Sequence, residues 1–139
     1  MGQKISVWIY EQSSGKLSST ESGYLATGYS GYGFGKNDPR SQALADIGPI
    51  PCGVYAIGAP FDSIEHGPFA MPLSPDAANQ MFGRSGFLMH GDSLEHPGCA
   101  SKGCIIMPRD AREAVWASGD RELQVYAGGT PVTDPEIGL

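Results

Sequence analysis

Residues 86–107 read GFLMHGDSLEHPGCASKGCIIM, two short apolar runs enclosing a glycine-bearing polar insert. The first run ends on His90 and the second starts on Cys104, fourteen residues later. Short apolar runs bounded by turn residues are the pattern of buried strands. The two are therefore expected as strands of a mainly β fold, with Cys104 opening one and His90 closing its neighbour. Pro108 suits the first position of a helix, which Asp110, Arg112, Glu113 and Trp116 carry to about Ser118, with Gly119 placed as its stop. This is the one main helix that the sequence predicts.

Moving outward, residues 53–57 (GVYAI) alternate as a short strand does, and residues 122–126 give a closing strand. Residues 4–12 are rich in Val, Ile, Trp and Tyr, and the turn chemistry of Ser13-Ser14-Gly15-Lys16 predicts a hairpin at the amino end. Residues 69–73 could form another strand, but Pro68, Pro72 and Pro75 confine it to an edge or a loop. Residues 28–39 set Gly28, Gly31, Gly33 and Gly35 among Tyr29, Tyr32 and Phe34, which predicts an irregular aromatic loop. Its spacing fails as a phosphate cradle, because Gly35-Lys36 is followed by Asn37 rather than Ser or Thr. The tail from Gly128, with Pro131 and Pro135, is expected to be extended or frayed.

A length of 139 residues suits a single domain over 1–139, and 40% hydrophobic residues supply enough apolar area for one core. A formal charge of −6 would repel a phosphate backbone, so nucleic acid is excluded as a partner. No apolar run approaches a bilayer span, and the start lacks a signal-peptide pattern, so the chain is expected as a cytoplasmic product. Three cysteines are too few for a disulfide framework, and free thiols at Cys52 and Cys99 are the simpler reading.

The segment 86–107 holds two of the three histidines and two of the three cysteines. As a nucleophile, Cys104 follows Gly103, whose freedom lets the backbone turn sharply and aim N–H groups at a bound carbonyl. His90 would share the thiol proton and lower the thiol pKa, giving an acyl-transfer pair. As a metal site, His90, His96, Cys99 and Cys104 supply four zinc-type ligands, but without the paired spacing of structural zinc knuckles. A buried small cysteine and a satisfied core histidine are the plain alternative. His66 and His96 read as loop residues. Asp92 could orient a partner, though aspartate after glycine is ordinary turn chemistry. Tyr29 and Tyr32 could cover a cleft or pack the core edge.

His90-Gly91, followed by Ser101-Lys102-Gly103-Cys104-Ile105, resembles the signature of L,D-transpeptidases, in which a histidine precedes a Ser/Thr-His-Gly-Cys motif by a short insert. Within that superfamily, Gly48-Pro49-Ile50-Pro51-x-Gly53-x-Tyr55, then Met81-Phe82-Gly83-Arg84-Ser85-Gly86-Phe87, then His90-Gly91-Asp92 are similar to type VI secretion effectors with this catalytic domain. The resemblance runs from about Tyr29 to Met107. It implies an L,D-transpeptidase-like β-sandwich and attack by Cys104 on the meso-diaminopimelate to D-alanine bond of a peptidoglycan stem peptide. Hydrolysis would follow with water, and exchange or crosslinking with an amine.

In that reading His90 is the base, Gly103 and Cys104 N–H groups are oxyanion donors, and Ser101 orients the site. Lys102 stands where wall-maintenance members carry histidine, which leaves His90 as the base. Ile106 stands where many members carry arginine, so Arg84 or Arg109 is a candidate for a stem carboxylate. Arg84, Gly91, Asp92 and Tyr32 are the expected substrate contacts. No metal or organic cofactor is implied. The resemblance further implies secretion into a target-cell periplasm, a cognate immunity protein and a possible secretion-system carrier. The competing expectation is a non-catalytic module, zinc-stabilised or peptidoglycan-binding.

Overall fold

The computed structural model describes residues 6–128. In chain order it forms β1 (Trp8–Glu11), β2 (Lys16–Ser19), β3 (Leu25–Thr27), β4 (Tyr29–Ser30), β5 (Gly53–Ile57), β6 (Phe61–Ser63), β7 (Gly67–Pro75), β8 (Leu88–His90), β9 (Ile105–Ile106), α1 (Arg109–Ala117) and β10 (Glu122–Tyr126). The fold is mainly β with one α-helix, as the sequence predicts. Of the amino-end strand expected over 4–12, residues 4 and 5 lie outside the described residues, as does the tail after Gly128. No helix among the described residues is long and apolar enough to cross a membrane.

The strands follow one ladder in the order β3-β2-β1-β10-β5-β7-β8-β9-β4, with β6 added to β7. Its two ends, β3 and β4, are separated in the chain by Gly28 alone. The ladder therefore curls back on itself into a near-barrel, and Gly28 is its seam. A Cβ at Gly28 would stand 1.7 Å from the Ile106 carbonyl oxygen, so any side chain there would push β3–β4 off β9. Inside, Trp8, Tyr10 and Leu17 meet Tyr55, Leu123 and Val125 from one half of the ladder, and Met71, Met89 and Ile105 from the other. α1 closes this core with Ala111 and Val115, and Trp8 Nε1–H donates to Ser118 Oγ at 3.1 Å just past its end.

Two expectations are corrected. β7 is an interior strand rather than an edge, pairing with β5 and β6 as well as β8. Its prolines are tolerated because Pro68 and Pro75 sit at or next to its ends, while Pro72 takes part through its carbonyl, which accepts the Gly58 N–H at 2.8 Å. The loop over 28–39 is also less irregular than expected. Tyr29–Ser30 pairs with Ile105–Ile106 as β4, and 3₁₀ turns follow at Gly33–Gly35 and Pro39–Ser41.

Candidate active site

β8 and β9 run parallel, with Met89 opposite Ile105 and His90 opposite Ile106. Cys104 immediately precedes β9, two residues behind the partner of His90. Strand spacing and rise then put the two Cα atoms about 8 Å apart. His90 thus ends β8, and Cys104, expected to open the neighbouring strand, stands one residue before β9 begins.

The bend carrying Cys104 is fixed by buried hydroxyls. Ser101 Oγ donates to the Cys104 carbonyl at 2.6 Å and accepts N–H groups from Gly31 at 2.9 Å and Gly103 at 3.0 Å. Ser30 Oγ donates to the Gly103 carbonyl and accepts the Ile50 N–H, both at 2.9 Å. Gly103 itself has φ +131°, a region that favours glycine, and a Cβ there would stand 2.5 Å from Arg84 Nη2. Because the Gly103 N–H is bonded to Ser101, it is not a vacant oxyanion donor, which corrects the expectation for that group.

Arg84 is corrected as well. It is 8% exposed, with Nη1 donating to the Gln42 and Pro49 carbonyls and Nη2 to those of Gly48 and Lys102. The guanidinium clamps the 42–49 loop to the bend that carries Cys104 and offers no free fork to a ligand.

Cys104 is 9% exposed, and its Sγ accepts the Leu88 N–H at 3.3 Å. Burial pushes the thiol pKa up. The Leu88 N–H and Arg84 oppose that rise, while Glu65 adds to it. The thiol accepts from the Leu88 N–H and the imidazole bonds the Gly91 carbonyl, so the thiol pKa is raised rather than lowered as expected. His90 is 1% exposed, with Nδ1 2.8 Å from the Gly91 carbonyl oxygen. A carbonyl only accepts, so Nδ1 carries the proton and Nε2 holds the lone pair. Nε2 is buried with no hydrogen-bond partner among the described residues. Burial lowers the His90 pKa to about 4, assisted by His66 and Arg112 and opposed by the Gly91 hydrogen bond and Asp92. At neutral pH the pair is therefore a thiol and a neutral imidazole whose basic nitrogen is unoccupied.

His66, expected as a loop residue, stacks on His90 with ring centroids 4.3 Å apart and planes 27° from parallel. Its Nε2 lies 3.5 Å from Glu65 Oε1. The turn between β6 and β7 thus lies over His90, and Glu65 on the same turn is within electrostatic reach of Cys104.

Beside His90 opens a cleft of about 1070 Å³, lined among others by Tyr29, His66, Gly91, Asp92, Arg109 and Arg112. Its size suits a peptide or drug-sized ligand. Asp92 supports the turn reading, since its carboxylate accepts N–H groups from Ser93 at 2.8 Å and Gly98 at 3.1 Å and the Tyr29 hydroxyl at 2.6 Å. Burial works to raise its pKa, but the bonds from Tyr29, Ser93 and Gly98 hold it below the usual value. Tyr29, which also accepts the Ala100 N–H at 2.9 Å, lines the cleft, whereas Tyr32 is half-exposed outside the lining. Ser101 and Gly103 brace the bend at Cys104, and Gly91 lies in the cleft wall. The four-ligand metal reading is not assembled, because no three His, Cys, Asp or Glu side chains among the described residues come together to hold a metal. His66 and Arg112 are the cleft residues that the sequence reasoning missed. Neither carries a local motif, and only the pairing of β7 with β8 and the packing of α1 on β7 bring them there.

A family model described as the Tlde1 domain matches residues 25–127. Among solved structures, the chain is similar to the helical cell shape determining protein Pgp2 from Campylobacter jejuni, with 16% identity and a TM-score of 0.57. The similarity covers 91% of this chain and 49% of that protein, so the chain spans about half its length and shares its fold. Comparison with curated proteins finds no match.

Proposed function

This chain belongs to the Tlde1 domain family of type VI secretion L,D-transpeptidase effectors, which target peptidoglycan, and from that premise we propose that it is a cysteine-dependent acyl-transfer enzyme acting on stem peptides. Residues 1–139 act as a single catalytic domain. Cys104 Sγ attacks the carbonyl carbon joining meso-diaminopimelate to D-alanine, and His90 Nε2 takes the thiol proton as the S–C bond forms. The oxyanion faces the Cys104 N–H. When the C–N bond breaks, the His90 imidazolium returns its proton to the departing amine. Water then hydrolyses the thioester, giving L,D-carboxypeptidase activity, or a second D-amino acid displaces it by exchange.

The observation that carries this reading is His90 Nε2, a buried lone pair without a partner on the strand beside Cys104. A neutral imidazole is the competent form of a general base, and the Gly91 carbonyl fixes its tautomer much as an orienting carboxylate does elsewhere. Since thiol and imidazole rest neutral and unbonded to each other, the reading requires proton transfer during attack rather than a preformed ion pair. The site works in a target-cell periplasm, reached through a secretion-system carrier, and the producer is protected by a cognate immunity protein.

Incubating the purified chain with tetrapeptide-rich sacculi and resolving the muropeptides by mass tests the reaction. Loss of D-alanine is expected, abolished by Cys104→Ala and by His90→Ala. Undiminished release by Cys104→Ala would refute it.

A further inference from the structure

Arg112 is 6% exposed and lies on the first turns of α1. Its Nε donates to the Met107 carbonyl at 3.0 Å, and Nη1 donates to those of Pro68 at 2.9 Å and Phe69 at 2.8 Å. These three bonds lock the guanidinium plane, and among the described residues Nη2 makes no hydrogen bond. Nη2 lies against Gly91, where a Cβ would stand 2.8 Å from it, and the residue lines the cleft.

Among the described residues no carboxylate forms an ion pair with Arg112. The acidic groups around the cleft bond to other partners, and Glu113 acts on Arg112 only through space. Asp92 holds Tyr29 and two backbone N–H groups, Glu65 lies beside His66, and Glu113 pairs with Arg109 at 2.8 Å. Arg109 is itself half-exposed and lies over the Phe69 ring, so its charge is already compensated. A buried guanidinium without a counter-ion is costly unless a ligand supplies one, and its planar fork matches a carboxylate.

We infer that Arg112 is a carboxylate subsite, with Nη2 receiving the C-terminal carboxylate of the D-amino acid that leaves the stem peptide. The assignment rests on the acyl-transfer reading in one respect. His90 must protonate the departing amine, so the leaving residue lies on the His90 side of Cys104. Its carboxylate is one carbon from that amine, and Gly91, the neighbour of His90, is the residue against which Nη2 rests. The subsite would make the enzyme an exopeptidase, favouring a free terminal carboxylate over an extended or amidated chain.

The test is binding of a stem tetrapeptide and of its C-terminal carboxamide to the Cys104→Ala protein, followed by calorimetry, alongside turnover of the free acid by the unmodified chain. The acid is expected to bind about 30-fold tighter than the amide, the range of a charge-assisted hydrogen bond. That preference should vanish when Arg112→Gln is added. It should fall as well with Gly91→Ala, whose new methyl would stand 2.8 Å from Nη2 and crowd the space a carboxylate needs there, and an unchanged unfolding midpoint in either variant separates loss of the subsite from a folding defect. Equal binding of acid and amide, or a preference that survives both substitutions, overturns the subsite. A preserved preference without any turnover would refute the acyl-transfer reaction instead and leave the subsite standing.

Discussion

Replacing Ser101 by Ala removes one oxygen and three hydrogen bonds from a side chain that is 1% exposed. The N–H groups of Gly31 and Gly103 lose their acceptor, and the Cys104 carbonyl loses a donor. A buried polar group left without a partner costs about 1–3 kcal/mol. The vacated space is only that of a hydroxyl, too small to admit a water in compensation. Taking the low end for each group gives a loss of about 3 kcal/mol, which a domain of ordinary stability survives in water. With a urea dependence of about 2 kcal/mol/M, the unfolding midpoint should fall by about 1.5 M. Trp8, buried in the core, gives a fluorescence signal for the transition. A midpoint shift below about 0.5 M at unchanged slope would show that the hydroxyl does not hold the Cys104 bend. D-Alanine release should fall further than the folded fraction does, because Gly31, Gly103 and Cys104 are then no longer tied to one atom.

Stability should depend on pH through His90. Its folded pKa of about 4 lies below the ordinary 6.5, so the unfolded chain binds the extra proton between those values. The contribution is complete above pH 6.5 and is lost as pH falls toward 4, by up to about 3 kcal/mol at 1.36 kcal/mol per pH unit. Urea titrations at pH 7 and pH 4 should show this drop, and His90→Gln should lack it; an equal drop in both proteins would contradict the buried neutral imidazole. Arg84→Met should destabilise the fold by about 3 kcal/mol or more, since four carbonyls lose a charged donor. A variant of native stability with only a raised KM would return Arg84 to the role of a substrate contact.

The strands that frame Cys104 and His90 were legible because apolar runs ending at glycine and proline encode them locally, and α1 because Pro108 and Gly119 bracket it. Gly53–Ile57 was read to its end residues from alternation alone. β7 was misjudged because the proline rule says where a backbone N–H is missing, not which residues need one. The site was half legible. His90 and Cys104 belong to a recognisable spacing, but His66 and Arg112 reach the cleft only through tertiary packing, with 24 and 22 residues separating them from His90 in the chain. Arg84 illustrates the converse. Its sequence neighbourhood resembles a functional motif, yet its contacts are backbone carbonyls from segments 35 or more residues away in one direction and 18 in the other. A charge count in the sequence carries no information about such partners.

The seam at Gly28 bears on the order in which this molecule can be assembled. β4 meets β9 across about 75 residues, and the same junction joins Ser30 to Gly103 and Gly31 to Ser101. Such a closure must be made before its contacts compensate it, as must the pairing of β1 with β10 across about 115 residues, so both junctions belong to the later stages of folding. A nascent or partly unfolded chain lacking that closure would have its hairpin and several strand pairs while the thiol bend remained unformed. The bend that carries Cys104 would then take its final shape only once the sheet has closed at that seam.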